Sequence, residues 1–153
     1  MAALDRLSAL EADALALQRE IEQLLKLRGC PHLLAIRGVG PIVAAKLLGE
    51  TRNIARFRSA AAFAAHAGTA PVPASSGRVQ RHRLNRGGNR QLNRALYTIA
   101  MVQARWDPAA RTYLDRKTTE GKTATEARRC LKRHLSNVVY RALLADRLTP
   151  RLT

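Results

Sequence analysis

Residues 89–106 read NRQLNRALYTIAMVQARW. Leu92, Leu96, Ile99 and Val102 return every three or four positions, the period of one helix face. Asn89 stands where an N-cap belongs. The stretch predicts a long helix with those four side chains inward and Arg90, Arg94 and Arg105 decorating the rest. Similar patterns lie on both sides of it. Upstream, Ser59 can cap a short alanine-rich helix over 60–67, with Gly68 just past its end. Downstream, Asp107-Pro108 opens another helix, closed near Gly121. Thr123 and Glu126 form a capping box for a final helix to about Asp146. Its apolar stripe is Leu131, Leu135, Val138, Val139 and Leu143, and its polar face is read as Arg128, Arg129, Lys132 and Arg133.

Further out, residues 4–27 carry a heptad pattern. Leu7, Ala14 and Ile21 recur every seven residues, and Leu10, Leu17 and Leu24 follow offset by three, as a and d positions of a coiled-coil seam. A helix that packs this stripe on its own domain would show the same pattern. Arg28-Gly29-Cys30-Pro31 ends it. Then two short apolar segments flank Gly38-Val39-Gly40, with Pro41 suited to the first position of the second helix. This has the layout of a helix-hairpin-helix motif, in which Gly38 and Gly40 let the turn approach a phosphate and the following helix start donates amides to it. An ordinary helix hairpin also needs glycine to turn. Residues 69–77 hold Pro71, Pro73 and small polar side chains, and predict a loop. The fold expected is therefore all-α. It comprises a coiled-coil-like helix over 1–28, a helical domain with a helix-hairpin-helix-like motif over 29–146, and a loose tail over 147–153.

Charge narrows the function. In 153 residues, Lys and Arg number 27 against 11 acids, a formal net charge of +16. Such an excess repels itself unless a polyanion offsets it, and the guanidinium fork suits phosphate oxygens and base edges. No acidic residue occurs between Glu50 and Asp107, where a solvated surface ordinarily mixes signs. Nucleic acid is the partner this implies. No apolar run approaches membrane-spanning length and the start lacks a signal-peptide layout, so no membrane partner is expected. Cys30 and Cys130 are far apart in sequence, and a reduced, cytoplasmic setting is expected. His32, His66, His82 and His134 lack metal-ligand spacing and the acids are scattered, so no metal site is read here.

Chemistry could sit at Ser75-Ser76-Gly77. A serine hydroxyl is a weak nucleophile unless its proton is removed or the developing charge is stabilised. Arg78, Arg81, His82, Arg83 and Arg86 follow closely, and guanidinium groups stabilise charge building on phosphoryl oxygens. The same Ala-Ser-Ser-Gly composition also suits a plain surface loop, and on composition alone that reading is the stronger.

Several blocks occur in order: Gly38-Val39-Gly40; residues 63–68, FAAHAG; Pro71 with Ser75-Ser76-Gly77; residues 81–90, RHRLNRGGNR; and residues 92–96, LNRAL. Together with Asp107-Pro108, Gly121-Lys122-Thr123 and residues 131–134, LKRH, this series resembles the "one-ten / one-sixteen / nine-oh-two" family of insertion-sequence transposases. These are relatives of the pilin-gene invertase and are also called bridge-RNA-guided recombinases. The resemblance covers nearly the whole chain and is to the family's carboxy-terminal domain. It implies a serine nucleophile at Ser76, with Ser75 adjacent as the fallback, and cleavage and rejoining through a phosphoserine link. It implies DNA and a guide RNA as partners. Gly38, Gly40, Arg78, Arg81, His82, Arg83, Arg86, Arg90 and Arg94 are assigned to nucleic-acid binding from charge and position. Family members begin with an acidic, magnesium-binding domain that this sequence lacks. A truncated form, inactive alone, is therefore expected, with no cofactor of its own and magnesium only alongside that domain. Self-association through the amino-terminal helix is expected as well. The alternative is a non-catalytic helix-hairpin-helix nucleic-acid-binding protein.

Overall fold

The computed structural model describes residues 2–73, 82–83 and 87–148. It is all-α: α1 (Ala2–Arg28), α2 (Pro31–Leu34), α3 (Pro41–Thr51), α4 (Ala60–His66), α5 (Arg90–Trp106), α6 (Pro108–Thr119) and α7 (Ala124–Leu148). One 3-10 turn, Ile54–Arg56, lies between α3 and α4. A minimal antiparallel ladder pairs β1 (Val72–Pro73) with β2 (His82–Arg83), Val72 opposite Arg83 and Pro73 opposite His82. The prolines predict a loop without regular structure here. Pro73 nevertheless enters a ladder, one only two residues long, where proline is tolerated because each of its strands is an edge.

The helices begin where the sequence places their caps. Ser59 Oγ accepts from the Ala62 amide at 3.1 Å, and Asn89 Oδ1 accepts from Gln91 and Leu92, each at 2.9 Å. Asp107 Oδ1 accepts from Ala109 at 2.9 Å. The Thr123 amide donates to Glu126 Oε2 at 2.9 Å and the Glu126 amide returns to Thr123 Oγ at 3.3 Å. Each bond satisfies an amide that the first helical turn cannot. α2 lacks a local cap. Its cap arrives from α7: Asp146 accepts from the His32 and Leu33 amides at 2.8 and 2.9 Å, a carboxylate at the positive end of a helix.

α7 is the scaffold, in contact with α2, α4, α5, α6 and the 3-10 turn. Leu131, Leu135, Val139 and Leu143 of α7 and Leu92, Leu96 and Ile99 of α5 are buried. Phe63 of α4 fills the remaining space. Its ring meets Phe57 edge-on at 5.3 Å and Tyr140 at 5.9 Å between centroids, and the Tyr140 hydroxyl donates to the Phe57 carbonyl at 3.2 Å. With so few aromatics, this cluster supplies much of the large buried surface at the α4–α7 contact.

α1 behaves differently. Residues 2–20 are exposed throughout, and only its last two turns dock, through buried Leu25 and half-buried Ile21, in a helix that contacts α3. Of the two arrangements that fit its stripe, packing on the same domain does not occur over those residues.

The return of the chain into α5 sets the tightest packing. A Cβ on Gly88 would lie 2.3 Å from the Cα and N of Gly68, a separation that backbone atoms cannot accommodate without shifting. Gly88→Ala is expected to cost about 1–3 kcal/mol by overpacking, and so to lower the midpoint of thermal denaturation, followed by far-UV circular dichroism, by several degrees. An unchanged midpoint would show that this junction yields freely.

Candidate nucleic-acid interface

The two ends of the serine-bearing segment are fastened at one place. α4 finishes at His66, and Thr69 turns back to the Ala64 carbonyl through its amide at 2.9 Å and its hydroxyl at 3.2 Å. On the return, the Asn89 amide donates to the His66 carbonyl at 2.6 Å. Asn93, one turn into α5, donates from Nδ2 to the Ala67 and Gly68 carbonyls, both at 3.0 Å. Asn89 Nδ2 reaches Glu50 Oε2 at 2.7 Å. The last acid before the acid-free stretch is thus engaged in holding the start of α5.

Ser75, Ser76, Arg78, Arg81 and Arg86 lie outside the described residues. His82 and Arg83 are placed by backbone in β2, whose pairing with β1 brings the two ends of the intervening segment together. Arg90 and Arg94 are exposed, four residues apart on one face of α5 beside this junction.

One residue at the junction departs from the sequence pattern. Helical spacing with the neighbouring arginines predicts Lys132 on the polar face of α7, yet it is only 9% exposed. Its Nζ donates to Asn93 Oδ1 at 2.9 Å, and it makes no ion pair among the described residues. Burial, helped by the nearby Arg129 charge, holds its pKa below the usual lysine range. A signal exists in the sequence. Lys132, Ser136, Val139 and Leu143 follow helical spacing, and all four are buried. The buried face is one residue wider than its apolar members indicate, because lysine is rarely buried unpaired. The resulting chain of bonds, Lys132 to Asn93 to the carbonyls of 67 and 68, fixes which way the Asn93 amide faces.

The His66 ring lies beside the junction. Arg56 Nη2 approaches its Nε2 at 3.0 Å, which suits a bare, accepting nitrogen. Burial first, and then Arg56, lower its pKa, with Glu50 opposing.

The glycine turn is also placed by α5. Gly38 adopts φ +91°, and a Cβ there would lie 3.2 Å from Val102 Cβ and 3.3 Å from the Ile99 carbonyl oxygen. Gln103 Nε2 donates to the Arg37 carbonyl at 2.9 Å, binding the turn to α5. Gly38 therefore has a packing role on the inner side of the turn. Gly40 is exposed at the start of α3, and a Cβ there would meet only open space. Among the described residues no group of three or more His, Cys, Asp or Glu could hold a metal ion. None of their helices is long and apolar enough to cross a membrane.

Against known proteins, the model of the transposase IS116/IS110/IS902 family matches residues 30–115. An uncharacterized 42 kDa protein of insertion element IS900 from Mycobacterium paratuberculosis is 42% identical over 127 residues, covering 82% of this chain and 32% of that protein. An uncharacterized 43.6 kDa protein of insertion element IS110 from Streptomyces coelicolor is 39% identical over 142 residues, covering 92% of this chain and 35% of that protein. The chain spans about a third of the length of the curated relatives it matches.

The buried lysine gives a stability prediction with a definite sign. Its folded-state pKa is lowered, so the unfolded state binds more protons, and stability rises with pH between the folded pKa and the unfolded value of about 10.4. Lys132→Met removes the buried charge and roughly keeps the volume. At pH 7 its melting temperature should equal or exceed that of the parent, and the gap should close as pH rises toward that limit. A variant that melts far below the parent at pH 7 would show that the bond to Asn93 outweighs the cost of the charge.

Proposed function

The chain belongs to the IS116/IS110/IS902 transposase family, and from that premise we propose that it binds DNA and supplies the serine nucleophile for strand cleavage and transfer. The observation that carries this reading is the junction. Both ends of the segment holding Ser75 and Ser76 are tied to the start of α5 by Asn89 and Asn93. Exposed Arg90 and Arg94 stand beside it. Lys132 adds a positive charge with no ion-pair partner among the described residues, and residues 51–106 contain no acid to compete for it.

In this reading the Ser76 oxygen attacks a backbone phosphorus. A bond from Oγ to phosphorus forms while the bond from phosphorus to one deoxyribose oxygen breaks, and the hydroxyl proton ends on that departing oxygen. Rejoining is the reverse step with a different sugar hydroxyl. Negative charge grows on the phosphoryl oxygens during both steps, and fixed guanidinium groups stabilise it more than water does. Ser75 is the fallback nucleophile. Arg78, Arg81, His82, Arg83, Arg86, Arg90 and Arg94 serve the phosphate backbone of DNA or of a guide RNA. Magnesium enters only with the acidic domain that the family resemblance implies. The exposed start of α3 at Gly40 favours, as a second reading, a backbone-binding role without chemistry.

A second copy of the chain is the proposed occupant of the α1 stripe. Leu7, Leu10, Leu17 and Leu24 are each more than half exposed, on a helix whose first 19 described residues touch nothing large enough to bury them. An apolar seam of this length marks an association surface.

Two experiments test these proposals. The chain is mixed with the acidic domain, guide RNA and nicked target, and a denaturing gel is read for a covalent protein–DNA adduct. Ser76→Ala should abolish the adduct and leave affinity within about twofold, since the hydroxyl contributes little to a binding dominated by phosphate contacts. An adduct that persists in both Ser76→Ala and Ser75→Ala would refute the nucleophile. Separately, sedimentation of the chain should show self-association that Leu10→Glu with Leu17→Glu abolishes. A parent that remains monomeric at high concentration would remove the second copy from the proposal.

A further inference from the structure

α5 has an outer face that the assignments above leave almost unused. At 100° per residue, Arg90, Arg94, Tyr97, Met101 and Arg105 fall within one narrow stripe. All five are exposed, and Tyr97 is 49% exposed. Trp106 ends the helix about 100° round from Arg105, outside the stripe but 60% exposed, with the Arg105 guanidinium 5.1 Å from its ring centroid. Aromatic residues make up only 4% of the sequence, so a fold short of large apolar side chains leaves two of them in solvent on one helix.

Ordinary packing does not account for this. The opposite face of α5 already supplies Leu92, Ala95, Leu96, Ile99 and Ala100 to the core, and no acid lies on the helix. Cations on either side of one exposed ring, with a second exposed ring at the helix end, offer both groups that unpaired nucleotides need. The guanidinium groups follow the phosphates, and successive bases stack on the rings whatever their sequence. A duplex keeps its base faces covered and could use only the arginines.

The stripe also joins two places that are far apart in sequence. Its start lies at the Asn89–Asn93 junction, where the serine-bearing segment leaves and returns. Its end lies at the glycine turn, where Arg37 Nη1 donates to the Trp106 carbonyl at 3.5 Å and Gln103 holds the Arg37 carbonyl. From Arg90 to Trp106 the helix rises about 24 Å at ~1.5 Å per residue. We propose that this face of α5 is a track for single-stranded nucleic acid that ends at the Trp106 ring, with Arg90, Arg94 and Arg105 on its phosphates, Tyr97 and Met101 against its bases and Trp106 against the base at its carboxy-terminal end. The track does not depend on which serine is the nucleophile, or on whether either is.

Trp106 is the single tryptophan, which makes it a reporter. The full chain is titrated with a 12-nucleotide single strand of DNA, the same sequence as RNA, and the DNA duplex, at a salt concentration that suppresses loose phosphate binding. Single strands should quench Trp106 fluorescence and the duplex should not. Tyr97→Ala should weaken single-strand binding roughly five- to a hundredfold, the range for losing one stacked base, while changing duplex binding little. Arg94→Ala should weaken both. Both residues are exposed, so these variants should melt with the parent. Tighter binding of RNA than DNA would assign the track to a guide strand, and equal or tighter binding of DNA to an unpaired target strand. Equal quenching by duplex and single strand would overturn the proposal. So would single-strand binding that ignores both Tyr97→Ala and Trp106→Ala, which would leave a surface that recognises phosphate alone.

Discussion

The amide of Asn93 ties the end of α4 to α5 and α7. Its nitrogen donates to two consecutive carbonyls at the end of α4, and its oxygen accepts from a buried lysine on α7. A side-chain amide can bridge in this way because it carries donors and acceptors on opposite sides. The two carbonyls belong to the unpaired end of a short helix, which would otherwise need water.

This arrangement explains why an ammonium group sits where lysine is rarely found. A buried charge is costly unless paired, and here its sole hydrogen-bond partner among the described residues is a neutral amide. Under the proposed function, a bound phosphate near the junction would supply the missing counter-charge. Cation placement and backbone support then share one bond network. A similar double use appears at Asp146, whose carboxylate caps α2 and takes a 2.9 Å contact from His32 Nδ1.

α5 organises the rest. Its inner face builds the core with α7, its first turn carries the junction, and its last turns hold the glycine turn through Gln103 and Gly38. One helix therefore sets the separation between the two regions that the sequence marked as nucleic-acid contacts. A rigid element between them keeps that separation constant, which a loop could not do. α1 stands apart from this arrangement, docked by its end and exposed along the rest.

Helix positions, caps and class were legible in the sequence, because each depends on groups within four residues of one another. Asn89, Ser59, Asp107 and the Thr123–Glu126 pair declare themselves locally, and the 3.6-residue period shows which faces are apolar. Overall charge and its acid-free stretch were legible for the same reason, being sums over residues. Tertiary structure alone decided that Gly38 packs on α5 and that Asp146 caps α2. It also decided that the α1 stripe finds no cover within residues 2–20 and that Tyr97, among the arginines of α5, and Trp106, at its end, face solvent. These outcomes depend on which helix lies against which, and partners separated by dozens of residues leave no periodic trace in a single sequence.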